Sequence, residues 1–201
     1  MNAHYHHGSL RETLLETAVE VVVESGLAAL SLRELARRAG VSSAAPYRHF
    51  PDKEAVLRAV ATQGFERFDK ALARTAKQFE DASALEAVER LGVAYVRFAA
   101  RQPNLFRFIF GPAAPAAGVD AELDEARRRA AGHLPRALAR LQAEGVATSS
   151  SIEELTELAW ALVHGVAVLN LDGLVGDGGA KSAERLAERV IKQLGALFRA
   201  E

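Results

Sequence analysis

Apolar residues recur along most of this chain at three- and four-residue intervals, the repeat of an α-helix with one buried face. In "LRETLLETAVEVVVES", residues 10–25, Leu14, Leu15, Ala18, Val21 and Val22 fall on such a face. Ser9 and Glu12 make a capping-box pattern ahead of it, and Gly26 suits the left-handed residue that ends a helix. The next segment repeats this grammar. Ser31 and Glu34 pair, Leu32, Leu35, Ala36 and Ala39 share one face, Arg33, Arg37 and Arg38 lie towards the other, and Gly40 closes the helix. A third helix is expected next, capped by Ser42 or Ser43, with Pro46 in its first turn and its end at Pro51. Asp52 then caps the long amphipathic run "KEAVLRAVATQGFERFDKALARTAKQFE".

The helical repeat continues to the end. "ALEAVERLGVAYVRFAARQP" and the short aromatic "NLFRFIFGP" read as helices, and "GPAAPAAG" as an irregular loop. "DAELDEARRRAAGHLPRALARLQAEG" reads as one helix kinked at Pro135. Ser151 and Glu154 open "IEELTELAWALVHGVAVLNLDGL", "GDGG" is a loop, and "KSAERLAERVIKQLGALFRA" closes the chain. No segment alternates with the two-residue period of a strand, and no internal repeat is present. The fold expected is all-α, with about nine helices.

Composition narrows this further. The chain has 201 residues, 49% hydrophobic, so it can bury a real core. It has no cysteine, which excludes disulfides and thiolate metal sites and fits a reducing cytoplasm. The first ten residues are polar, so no secretory signal is expected, and the apolar stretch 158–171 is too short to span a bilayer. No Gly-rich phosphate loop, spaced His/Glu metal set or nucleophile turn supports an enzyme. Neither a metal nor a cofactor is expected.

Net charge is −1, yet it is unevenly spread: five cations meet two carboxylates between residues 33 and 53, a net +3. A solvated surface explains such a run; so does an electrostatic footprint for nucleic acid. Spacing separates the two readings. The second and third helices are joined by a short link around Gly40, the spacing of a helix-turn-helix, whose second helix enters the major groove. Pro46 and Phe50 lie one turn apart and can face the core. Ser43, Ala44 and Tyr47 then point outward, where short side chains let the backbone approach base edges. Tyr47, Arg48 and His49 carry donors for phosphates, and Lys53 sits at a helix N-terminus, where the dipole favours anions.

Three other features leave alternatives open. His4, His6 and His7 suit a terminal arm, a metal site or a tag remnant. Trp160 and His164 stand four apart on one helix, either as a packed pair or as the lining of an effector cavity, to which Phe98, Phe106, Phe110 and His133 could contribute. The apolar faces of 152–175 and 182–198, with Gly165, Ala167, Gly173, Gly195 and Ala196, allow close packing within one chain or across a dimer seam.

The stretch "SLRELARRAGVSSAAPYRHFPDKEAVLRAV", 31–60, closely resembles the helix-turn-helix of the tetracycline-repressor (TetR) family of bacterial transcription regulators. Its glycine, the Tyr-x-His-Phe group and the following lysine fall in register, and the likeness covers roughly residues 9–60. The resemblance implies an all-helical homodimer. Each chain would carry a DNA-binding domain, here residues 1–54, and a larger effector-binding and dimerisation domain, here 55–201. The last two helices of each chain would form a four-helix dimer bundle.

It further implies that Tyr47, His49 and Lys53 contact phosphates, that Ser43 and Ala44 with Ala45 face bases, and that Arg33 reaches DNA from the second helix. Ser42 and Arg48 complete the expected DNA-binding set. Trp160, His164 and Gly165 form a Trp-x-x-x-His-Gly signature that, with "YHHGSL" near the start, is similar to one subgroup. The implied function is a repressor on palindromic operator DNA, released by a largely apolar small molecule.

Overall fold

A computed structural model describes residues 10–176 and 179–200, with side chains except at 194 and 197–200. The Ser9 cap, the His4, His6 and His7 cluster and the middle of the "GDGG" loop lie outside the described residues. Among the described residues there is no strand. The α-helices are α1 (Leu10–Ser25), α2 (Leu32–Arg38), α3 (Lys53–Gln78), α4 (Ala84–Arg101), α5 (Pro103–Ile109), α6 (Ala121–Ala131), α7 (His133–Ala143), α8 (Ile152–Leu171) and α9 (Ala180–Ala200). Two 3₁₀ turns lie at Leu27–Ala29 and Pro46–Arg48. The chain divides into two compact units, one ending at Gly64 but including Asn104–Asp124, the other formed by Phe65–Pro103 and the residues from Glu125 onward.

In the first unit α1 buries Leu14, Ala18, Val21 and Val22 completely, as their spacing demands. Ser31 caps α2 by accepting the Glu34 N–H at 3.1 Å. Glu34 does not reach back to complete a box, because its carboxylate is held by Arg37 and Arg38. The far end of α2 is a Schellman turn. The Gly40 N–H bonds to the Arg37 carbonyl and the Val41 N–H to that of Ala36, with Gly40 at φ +67°.

The segment after it departs from expectation. It is not an α-helix capped by Ser42 or Ser43, but a turn at 43–45 running into the 3₁₀ turn Pro46–Arg48, with no side-chain cap. The reason is Pro46. It has no N–H to give the Ser42 carbonyl, so the Ala45 N–H takes that acceptor instead, at 2.9 Å and three residues away. The tight winding continues through Arg48 to Ala45 and His49 to Pro46. Asp52 then caps α3 by accepting the Ala55 N–H at 2.7 Å. Later in the unit, Asn104 donates to the Val23 carbonyl at 3.0 Å, and a methyl at Gly64 would lie only 2.6 Å from Ile109, so α3 and α5 touch there.

The second unit is built around α4, which packs against α7, α8 and α9 and is buried along most of its length. Its contact with α9 is close: a methyl on Gly92 would meet Ile191 at 2.7 Å, and one on Gly195 would meet Glu89 at 2.6 Å. The capping box of α8 forms as its spacing predicts. The Glu154 N–H donates to Ser151 Oγ, and the Ser151 N–H to the Glu154 carboxylate at 2.8 Å. The expected kink at Pro135 is instead a break at Gly132, which separates α6 from α7. Proline disfavours the helical carbonyl four residues before it, so the fault appears upstream and leaves Pro135 in the first turn of α7.

Candidate nucleic-acid interface and effector cluster

The short 3₁₀ segment sorts its side chains by face. Pro46 is buried and Phe50 is 1% exposed, anchoring the segment to the unit's core. Ser42, Ser43, Ala44, Tyr47 and Arg48 are exposed, with Ala45 and His49 half-buried. Tyr47 is 56% exposed, a large aromatic with no core role.

The cations of this unit fall into two groups. Arg37 pairs with Glu34 at 2.7 Å, and Arg38 pairs with both Glu34 and Glu24, at 2.9 and 2.7 Å. Hydrogen bonds from these two guanidinium groups pull the Glu34 carboxyl down to about 2. Arg33, Arg48 and Lys53 are exposed and make no ion pair among the described residues. Three free cations therefore flank an outward face of small residues. Such a surface can neutralise phosphates while the backbone comes close to base edges.

The residues expected to line an effector cavity do not all come together. Phe106 and Phe110 belong to the first unit, where their rings stack at 4.9 Å and Phe106 is 1% exposed. Trp160 and His164, in the second, converge on a hydroxyl that the sequence reading missed. Tyr95 on α4 is 2.8 Å from His164 Nδ1, and Trp160 Nε1 donates to the same oxygen at 3.4 Å. Indole N–H can only donate, so the Tyr95 oxygen accepts from Trp160 and can give its own proton to a neutral His164. Burial agrees with this: it lowers the His164 pKa and raises that of Tyr95.

Phe68 stands edge-on to Tyr95 at 5.2 Å and against Phe98 at 5.1 Å, extending the cluster. His133 lies apart from it, bonded through Nε2 to Asp69 at 2.7 Å. An apolar void of about 40 Å³ between α4, α8 and α9 is lined by Leu91, Gly92, Ala159, Val163 and Ile191 among others. One signal could have found Tyr95: it shares a face with Leu91 and Phe98, and a phenol on a buried stripe needs a partner. No local signal points to Asp69, 64 residues from its histidine.

On the exposed side of α8, Leu158, Trp160 and Leu169 are 50%, 51% and 41% exposed, and Gly165 has nothing within 4 Å of where a methyl would sit. Ala167, by contrast, is buried within the chain, and Gly195 is used against α4. No helix among the described residues is long and apolar enough to cross a membrane.

Comparison with known proteins places this geometry. Residues 14–60 match the profile of the tetR family of bacterial regulatory proteins, and residues 88–194 match that of the tetracyclin repressor-like C-terminal domain. The nucleoid occlusion factor SlmA of Aliivibrio fischeri is 31% identical over 108 residues, 51% of this chain and 52% of that one, so the chain spans about half the length of the curated relatives it matches. A protein of unknown function from Rhodococcus sp. RHA1 superposes with a TM-score of 0.85 at 33% identity, over 98% of this chain and 100% of that one.

The transcriptional regulator FadR of Bacillus subtilis, solved with stearoyl-CoA, gives 0.71 at 16% identity over 92% and 97%. The TetR regulator PfmR of Thermus thermophilus gives 0.68 at 21% over 92% and 94%. At these last two identities the likeness is one of fold. With a helix-turn-helix profile and a C-terminal profile both matched in register, this chain belongs to the TetR family of bacterial regulatory proteins.

Proposed function

We propose that the protein is a cytoplasmic, non-enzymatic repressor that binds palindromic operator DNA as a homodimer and is released by a small-molecule effector. The observation that carries this reading is the division of the 3₁₀ segment: Pro46 and Phe50 are buried, while Ser42, Ser43, Ala44 and Tyr47 are exposed beside three unpaired cations. Ser42, Ser43, Ala44 and Ala45 read base edges. Tyr47, His49 and Lys53 hold phosphates, with Arg33 and Arg48 adding charge.

One segment this short buries little surface, so symmetry is needed to give useful affinity. Two copies set ~34 Å apart would read successive major grooves on one side of a duplex. The exposed apolar stripe of α8 supports the second copy as the partner that covers it.

The effector region is proposed for the second unit, around Trp160, His164, Tyr95 and Phe98, with His133 beside it. An effector that binds better to a state with α3 tilted would weaken operator binding through a population shift. A coupling of ~1–3 kcal/mol would change affinity ~5- to 150-fold. The test is an electrophoretic mobility-shift titration over genomic fragments. Retardation of a few fragments, at low protein concentration and in excess competitor DNA, is expected. No specific complex even at low salt would end this reading.

A further inference from the structure

Outside both regions, the second unit holds a half-open cleft of about 390 Å³ between α3 and α4. That volume is within the range of small-molecule sites, about 300–1,000 Å³. Arg67, Lys70 and Arg74 line one wall, on the same face of α3 at helical spacing. Arg97 and Arg101 line the other, from α4. Ala71, Ala94 and the buried Phe98 ring form its apolar floor.

The charges here are not balanced as they are elsewhere in the unit. Glu184 is the one carboxylate near them, 2.7 Å from Arg97 and 3.9 Å from Arg101, and both contacts use the same oxygen. Arg67, Lys70 and Arg74 have no carboxylate within 4.0 Å among the described residues. The nearby carboxylates of α3 are committed elsewhere, Glu66 to Arg129 and Asp69 to His133. Other arginines of the unit are paired, Arg90 with Glu86 and Arg128 with Glu125. Like charges one turn apart on a helix destabilise it. Here that repulsion is left standing on both walls of a concave site.

We infer that this cleft binds a compact, multiply charged organic phosphate, held by Arg67, Lys70, Arg74, Arg97 and Arg101, with its organic part against the Phe98 floor. Guanidinium forks match phosphate oxygens two at a time, and four arginines suit several phosphoryl groups better than one carboxylate. The cations converge across a hollow instead of running in a line. A duplex strings its phosphates along an axis, so a small polyanion fits the arrangement better.

Isothermal titration of the full-length protein with inorganic tripolyphosphate at low ionic strength tests this, with citrate as a polycarboxylate control. Tripolyphosphate is expected to bind once per chain, and citrate more weakly. In the Arg67→Gln/Lys70→Gln/Arg74→Gln variant the affinity should fall at least about tenfold. Circular dichroism should show that variant folded and melting no lower than the parent. The Arg33→Gln/Lys53→Gln variant should bind tripolyphosphate as the parent does. Absence of binding, unchanged affinity in the cleft variant, loss of binding in the Arg33/Lys53 variant, or tighter binding of citrate would each overturn the assignment. No DNA enters the measurement, so its failure and that of the operator reading are separate results.

Discussion

Lys53 and Tyr95 show how differently single side chains carry the account. Lys53 is exposed and unpaired at the start of α3, so its proposed role is a phosphate contact without sequence information. Lys53→Gln should weaken all duplexes alike and reduce the slope of log affinity against log salt by about 0.9. Mobility shifts at several salt concentrations measure both effects, and a changed sequence preference would contradict the role.

Tyr95, by contrast, is buried, and its hydroxyl meets both Trp160 and His164. Tyr95→Phe should cost about 1 kcal/mol. In a chain of this size, that is a fall of about 2–4 °C in Tm by calorimetry. The same cluster predicts a pH effect. Burial lowers the His164 pKa in the folded state, so the unfolded chain binds the extra proton first as pH falls. Stability therefore drops as pH falls through the ordinary histidine value, near about 6.5, towards the folded one. Urea denaturation above and below that value should show a smaller loss in His164→Gln than in the parent. An equal loss would contradict the neutral, hydrogen-bonded ring.

At the scale of the element, helical periodicity and capping residues made most of the fold legible. The pairs that worked are local: Ser151 with Glu154, Ser31 with the Glu34 amide, Asp52 with Ala55. Two helices were misread, and both errors trace to proline. At Pro46 the missing N–H turned the expected third α-helix into a 3₁₀ turn; at Pro135 the fault moved upstream to Gly132 and made two helices of one. These offset each other in the tally of helices but not in the geometry. The first narrows the proposed DNA-reading face to a tight segment whose outward side chains are mostly small.

Capping carries its own prediction. Ser151→Ala removes the acceptor for the Glu154 amide at the head of α8, and should cost about 1 kcal/mol. Thermal melting against the parent checks this, and no change would mean that packing alone sets the start of α8.

Across the whole molecule, legibility falls away, because what remains depends on contacts distant in sequence. The joining of Asn104–Asp124 to the first unit has no local signature; its anchor is Asn104 reaching the Val23 carbonyl, 81 residues away. The same holds for Asp69 with His133 and for the cations collected on the α3–α4 cleft. The exposed α8 stripe was legible only as an apolar face; its exposure had to be seen. If a second copy covers it, Leu158→Glu with Leu169→Glu should convert a dimer to a monomer in sedimentation velocity, and operator binding should fall with it. A parent that sediments as a monomer would contradict the proposed symmetry.

The most direct measurement is selection of bound sequences from a pool of random duplexes by the purified protein. Paired 3₁₀ segments predict an enriched inverted repeat whose half-sites are centred about one helical turn, ~10 base pairs, apart. Recovery of no motif, or of a single asymmetric site, would contradict it.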